Sequence, residues 1–262
     1  PDFWRVKIDN DGWFKDGKYW KNAHQRCRLD TFTLSCEKRK EGKREMIKSV
    51  KFSFKVLVNV DPEDETPDLS EVWFNTTYTV YPDATVKVEN EFLPVYYHAE
   101  REMSVPRIGQ LFKLNGALET VDWYGRGPWE NYADRQTSAL VGRYRMLVKE
   151  LAYAYVRPQE NGYRTDVREL TLSSPEGNGM KVTGLPFFCF NAQYAPKENY
   201  EINGKPIRNT IDLKHEKDVF LNIDYGQMGV GGDNSWGNPV HVDYRILLRN
   251  YRYGYVIQLF KE

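Results

Sequence analysis

The sequence predicts an all-β fold, a large antiparallel β-sandwich, on three observations. Apolar residues recur at every second position over long stretches, turn formers punctuate those stretches at short intervals, and helical periodicity is nearly missing. Several long alternating strands joined by such turns need a second apolar layer to cover their inner faces, and stacked antiparallel sheets supply it.

In chain order, residues 51–60 place Phe52, Phe54, Val56, Val58 and Val60 on one face and Ser53, Lys55 and Asn59 on the other. Asp61-Pro62-Glu63-Asp64 breaks that strand. Residues 71–81 repeat the pattern with Val72, Phe74, Thr76, Tyr78 and Val80, and Tyr81-Pro82-Asp83 turns the chain into residues 84–92, with Val86 and Val88 inward. Asn161-Gly162 and Pro175-Glu176-Gly177-Asn178-Gly179 are further turn signals. Residues 195–200 hold a single turn of helix, with Pro196 near its start. Near the end, Val240, Val242, Tyr244, Ile246 and Leu248 alternate with His241, Asp243, Arg245 and Arg249, and Tyr253, Tyr255, Ile257 and Leu259 form the last strand. Without an internal repeat, heptad or low-complexity linker, residues 1–262 read as one domain.

Lysine plus arginine number 37 and aspartate plus glutamate 37, so no positive surplus is available to neutralise phosphates, which argues against a nucleic-acid binder. No apolar run is long enough for a membrane helix. The 15% aromatic content suits both pleated sheets and ligand surfaces. Cys27, Cys36 and Cys189 lack metal or disulfide spacing and read as free buried thiols. The opening PDFWRVKIDNDGW has no initiator Met or leader pattern, which predicts a piece of a longer protein.

Four clusters stand outside the strand pattern. Phe3-Trp4-Arg5 with Asp9, Asn10, Asp11 and Gly12 leads into an aromatic loop of Trp13, Phe14, Tyr19 and Trp20. Its acids either form Asx turns or bind hydroxyls or a cation. Residues 123–135, WYGRGPWENYADR, read as a long irregular segment tied by Arg126, Glu130, Asp134 and Arg135. Residues 155–169 hold Glu160 and Glu169, two carboxylates of the kind a glycosidase uses, yet arginines beside them lower carboxyl pKa and favour a scaffold role. Residues 221–237, LNIDYGQMGVGGDNSWG, crowd glycines around Asp233, Asn234 and Trp236. Such density shapes a loop, and an indole flanked by polar groups suits a sugar; the other reading is a core tryptophan. His24, His98, His215 and His241 have no metal-site spacing.

In this order the clusters, with PRIG at residues 106–109, resemble the C-terminal portion of bacterial β-galactosidases of glycoside hydrolase family 2. The resemblance spans nearly the whole chain. It implies the β-galactosidase small-chain domain with the galactose-mutarotase supersandwich fold, from a bacterial enzyme of the cytoplasm or periplasm. It places the catalytic acid and nucleophile, with the ligands of Mg²⁺ and Na⁺, in a TIM barrel that would precede residue 1, so no cofactor is expected in this piece. By match, Trp236 reaches the active site and stacks on a galactoside, with Asp233, Asn234 and Asp11 beside the substrate. Residues 12–22 match a mobile loop of relatives, with different aromatic content. The implied partners are the preceding domains and further subunits of a homo-oligomer. An autonomous aldose 1-epimerase and a stand-alone carbohydrate-binding or assembly module are the alternative readings.

Overall fold

The computed structural model describes residues 1–60, 71–95, 103–234 and 239–261. The predicted turn at residues 61–64, His98 and Trp236 therefore lie outside the described residues. The chain is all-β, as the alternation predicts. Its strands are β1 (Cys27–Glu41), β2 (Arg44–Asn59), β3 (Glu71–Val80), β4 (Val86–Pro94), β5 (Ser104–Val105), β6 (Arg107–Leu114), β7 (Thr120–Gly127) and β8 (Leu140–Leu147). They continue as β9 (Arg164–Ser173), β10 (Asn178–Gln193), β11 (Glu201–Ile202), β12 (Lys205–Pro206), β13 (Val219–Gln227), β14 (Ile246–Leu247) and β15 (Tyr251–Lys261). Short 3-10 turns and two four-residue α-helices, Gly17–Trp20 and Val148–Leu151, complete the described structure.

Among the described residues, eleven strands form one antiparallel sheet, whose main path runs β1-β2-β3-β4-β15-β10-β9-β7-β8. Strand β10 is where the sheet divides. Its first half pairs with β15 up to Leu185↔Gly254, and its second half pairs with β13 from Cys189↔Asp224. Strand β9 follows both halves across a register shift between Thr183 and Phe188. This break carries β13 and its partner β6 over the face of β3, β4 and β15. The two layers meet through apolar side chains that include Phe74, Val88, Phe92, Ile108, Leu221 and Ile223, all buried.

Within that core lies a polar seam. Thr76 donates to Asn90 at 2.7 Å, Asn90 donates to Gln110 of β6 at 2.9 Å, and Gln110 donates to Tyr78 at 3.1 Å. Buried amides paired this way fix one relative placement of the layers, because any shift would strand them without partners. Phe3 closes one end of the core against Trp20, Phe74 and Phe92, with ring centroids 5.6 to 5.9 Å away.

The structure departs from the sequence reading in four places. Residues 240–249 are not one strand: 3-10 bonds from Tyr244 N to His241 O and from Arg245 N to Val242 O curl the chain there. Val242 and Tyr244 consequently face solvent, while Val240, Ile246 and Leu248 are buried. Residues 123–127 are not irregular, since Trp123 to Gly127 complete β7 and pair with β8. Asn161-Gly162 joins no hairpin; Gly162 takes φ +78° inside a buried turn. The thiols are free, but Cys36 is exposed on β1 and the other two are half-buried. The single turn of helix forms at Lys197–Tyr200, with Pro196 as its N-cap.

Candidate functional site

The glycine-rich segment leaves β13 at Gln227 and is fastened at its base by groups from four other parts of the chain. Met228 N donates to Pro106 O at 3.0 Å, and Gly229 N donates to Tyr244 O at 2.8 Å. Arg5 Nη2 donates to Gly229 O at 3.4 Å. The Asp134 carboxylate accepts from Val230 N at 3.0 Å and from Gly231 N at 2.6 Å. A side chain on Gly229 would occupy the space of that carboxylate, which explains glycine at this position. Consecutive backbone N–H groups converging on one carboxylate make charge-assisted bonds, the stronger kind.

Asp134 is itself held in a tight turn. Tyr132 and Arg135 exchange backbone hydrogen bonds of 2.9 and 3.1 Å, and the Tyr132 ring stacks on Tyr163 at 5.7 Å. Asn131 N donates to Tyr163 O at 2.8 Å, and Gly162 N donates to Glu130 Oε2 at 2.7 Å. Arg135 and the Tyr155 hydroxyl also bond to Glu130. The network expected among Arg126, Glu130, Asp134 and Arg135 is thus divided. Glu130 keeps Arg135, Arg126 pairs with Asp166 at 2.5 Å, and Asp134 serves the glycine loop.

Arg5 makes a two-pronged ion pair with Asp11, Nη1 to Oδ2 and Nη2 to Oδ1 both at 3.0 Å. Asp11 also accepts from Ile8 N at 3.0 Å, so its carboxylate is bound within the protein. At the far end of the loop, exposed Asp233 lies 2.7 Å from His241 Nε2, and Asn234 is half-buried. A cavity of about 150 Å³ between Asp9, Tyr132, Arg135, Tyr155, Glu160 and Val230 brings residues of all four clusters to one place. Within residues 12–22, Gly17–Trp20 form a four-residue helix, and Trp20 is buried with its indole N–H donating to Ser104 O at 2.9 Å.

Beneath the loop sits a buried ionic group that the sequence reading passed over. Arg107 points Nε at Asp224 (3.2 Å), Nη1 at Asp2 (3.6 Å) and Nη2 at Glu160 (3.5 Å), and Nη2 also donates to Gln227 at 2.6 Å. Burial alone would raise the Asp2 carboxyl, but Lys197 and Arg107 outweigh it and hold it well below the usual range. At Asp224 burial wins over the attraction of Arg107, Asp2 and Glu160 add repulsion, and its carboxyl is pushed up to about 8. Burial also raises Glu160 despite Arg107 and Arg5, the reverse of what arginine neighbours alone suggest. Glu169 is the opposite case, held low mainly by its hydrogen bond from Arg143. The overlooked signal was a lone charge within each apolar run, Arg107 beside Ile108 and Asp224 after Ile223.

Residues 1–257 match the family described as β-galactosidase small chain. The chain is 33% identical over 246 residues to a β-galactosidase of Priestia megaterium, covering 94% of this chain and 22% of that protein. It is 28% identical over 257 residues to one of Vibrio cholerae, covering 96% and 23%. It thus spans about a fifth of the length of the curated relatives it matches. Among solved structures, a glycoside hydrolase family 97 enzyme in complex with acarbose from Pseudoalteromonas sp. strain K8 superposes with TM-score 0.43 and 9% identity, covering 90% of this chain and 28% of that one. A GalM/aldose epimerase homologue from C. elegans gives TM-score 0.39 and 14% identity, covering 86% and 68%.

Proposed function

This chain belongs to the β-galactosidase small-chain family, and from that membership we propose that it is the non-catalytic C-terminal domain of a family 2 β-galactosidase. The whole enzyme would hydrolyse terminal non-reducing β-D-galactose residues, as in lactose, with retention through a covalent galactosyl intermediate. This domain would supply one wall of the sugar pocket. The observation that carries the reading is the fastening of the glycine loop: Arg5 and Asp134 grip Gly229, Val230 and Gly231, so the residues that follow leave a fixed base.

In this reading Trp236 stacks on the apolar face of galactose, and Asp233 and Asn234 offer polar groups beside it. Asp11 acts through Arg5, which it orients toward Gly229. Holding the glycoside in place raises its effective concentration at glutamates contributed by a preceding TIM barrel. Mg²⁺ and Na⁺ would be held outside this chain, because the buried acids Asp2, Glu160 and Asp224 surround Arg107 and do not fit a divalent cation.

Kinetics of Trp236→Ala in the whole enzyme test the proposal. The variant should raise KM and lower kcat on a chromogenic galactoside, and unchanged constants would refute the assignment. An assembly role in the same protein is favoured by the β1–β2 hairpin, where Leu29, Phe32, Leu34, Met46 and Ile47 are exposed. That surface would meet the enzyme's other domains or a second subunit.

A further inference from the structure

A cavity of about 440 Å³ opens where β9, the bend of β10, the end of β13 and residues 243–246 meet. Its volume is within the range of about 300–1,000 Å³ usual for small-molecule sites. Three rings on its walls are half-open to solvent: Phe187 at 47%, Tyr225 at 40% and Tyr244 at 42% exposure. Rings this exposed are not serving the core.

The polar lining is built rather than incidental. Gln227 is 4% exposed; its Oε1 accepts from Arg107, and its Nε2 has no partner among the described residues. Asp166, also in the lining, takes φ +53° inside a strand, a left-handed conformation that a non-glycine residue keeps only when its surroundings impose it. Charge is balanced, with Asp166 and Asp243 against Arg245 and Arg252. A phosphate or polyanion would gain no net attraction here.

We propose that this cleft is a second carbohydrate site that takes a neutral di- or oligosaccharide. Flat C–H faces of the sugar lie on Phe187, Tyr225 and Tyr244, and the polar side chains of Gln136, Asp243 and Arg245 on the same walls meet its hydroxyls. The site binds without turnover. No histidine lines it, and burial pushes the Cys189 thiol up to about 12, too high for a nucleophile at neutral pH. It shares Gly226 and Gln227 with the root of the glycine loop, so a long saccharide held here stays beside that loop.

Calorimetric titration of the full-length protein carrying this chain with thiolactose, the sulfur-linked disaccharide that resists hydrolysis, tests this. Two saturable sites per chain are expected. Tyr225→Ala should weaken one of them about ten-fold, Tyr225→Phe should keep it within about two-fold, and Trp236→Ala should leave it in place. Should Tyr225→Ala melt early, Phe187→Ala, on the exposed bend, gives the same readout. A single site in the parent protein overturns the proposal, as does a second site indifferent to both alanine variants. Two sites in the parent, neither of them weakened by Trp236→Ala, would count against the pocket-wall reading and leave this one standing.

Discussion

Removing the carboxylate of Asp134 tests whether the proposed pocket wall depends on a fixed glycine loop. Two backbone N–H groups, Val230 at 3.0 Å and Gly231 at 2.6 Å, depend on it. At about 1.5 kcal/mol for each charge-assisted bond, Asp134→Ala withdraws about 3 kcal/mol from the ordered loop. That is a factor of about 100 in its population relative to unfastened conformations. The core is untouched, because Asp134 lies on a surface turn rather than among the packed strands. In the whole enzyme kcat/KM on a chromogenic galactoside should fall about 10- to 100-fold, with a melting temperature close to that of the parent. Asp134→Asn keeps one acceptor and should fall between. Gly229→Ala should be damaging in the parent, where the new methyl meets the carboxylate, and nearly neutral in the Asp134→Ala background. Parental kcat/KM in a folded Asp134→Ala variant would refute the reasoning.

Two further outcomes follow from the interior. Asp224 has its carboxyl raised from 3.8 to about 8 in the folded state, so it stabilises most below about pH 4 and loses that contribution as pH rises toward 8. Asp224→Asn removes this titration; urea unfolding at pH 5 and pH 8 should show the variant gaining on the parent as pH rises, and a constant difference would contradict the assigned shift. Phe3→Ala empties the space between Trp20, Phe74 and Phe92 and should cost about 3–5 kcal/mol in chemical denaturation, a reading excluded by a loss below about 1 kcal/mol.

The strands legible in the sequence are those with one wet face. In β3, Val72, Phe74 and Thr76 are buried between half-exposed neighbours, so alternation survives into the letters. Strand β13 hid because both its faces are covered: Leu221, Asn222, Ile223 and Asp224 are all buried, and no period of two can appear. Strand β1 hid for the opposite reason, being exposed along almost its whole length. Residues 240–249 carried the pattern without the strand, since burying Val240 and Ile246 does not require an extended chain between them. The chemistry of the four clusters could be read from their residue types. That Asp134 reaches Gly231, 97 positions away, could not, because no local spacing encodes the break in β10 that folds one layer over the other.

Strand β15 is late in the chain yet central in the sheet, with β4 on one side and β10 on the other. During synthesis the β1–β4 ribbon and the β7–β10 ribbon are therefore complete well before the residue run that unites them has emerged. Each waits with a raw edge, Val86 to Phe92 on one and Asn178 to Leu185 on the other, offering unpaired amides and carbonyls to any passing strand. Both edges are covered only once β15 pairs with them.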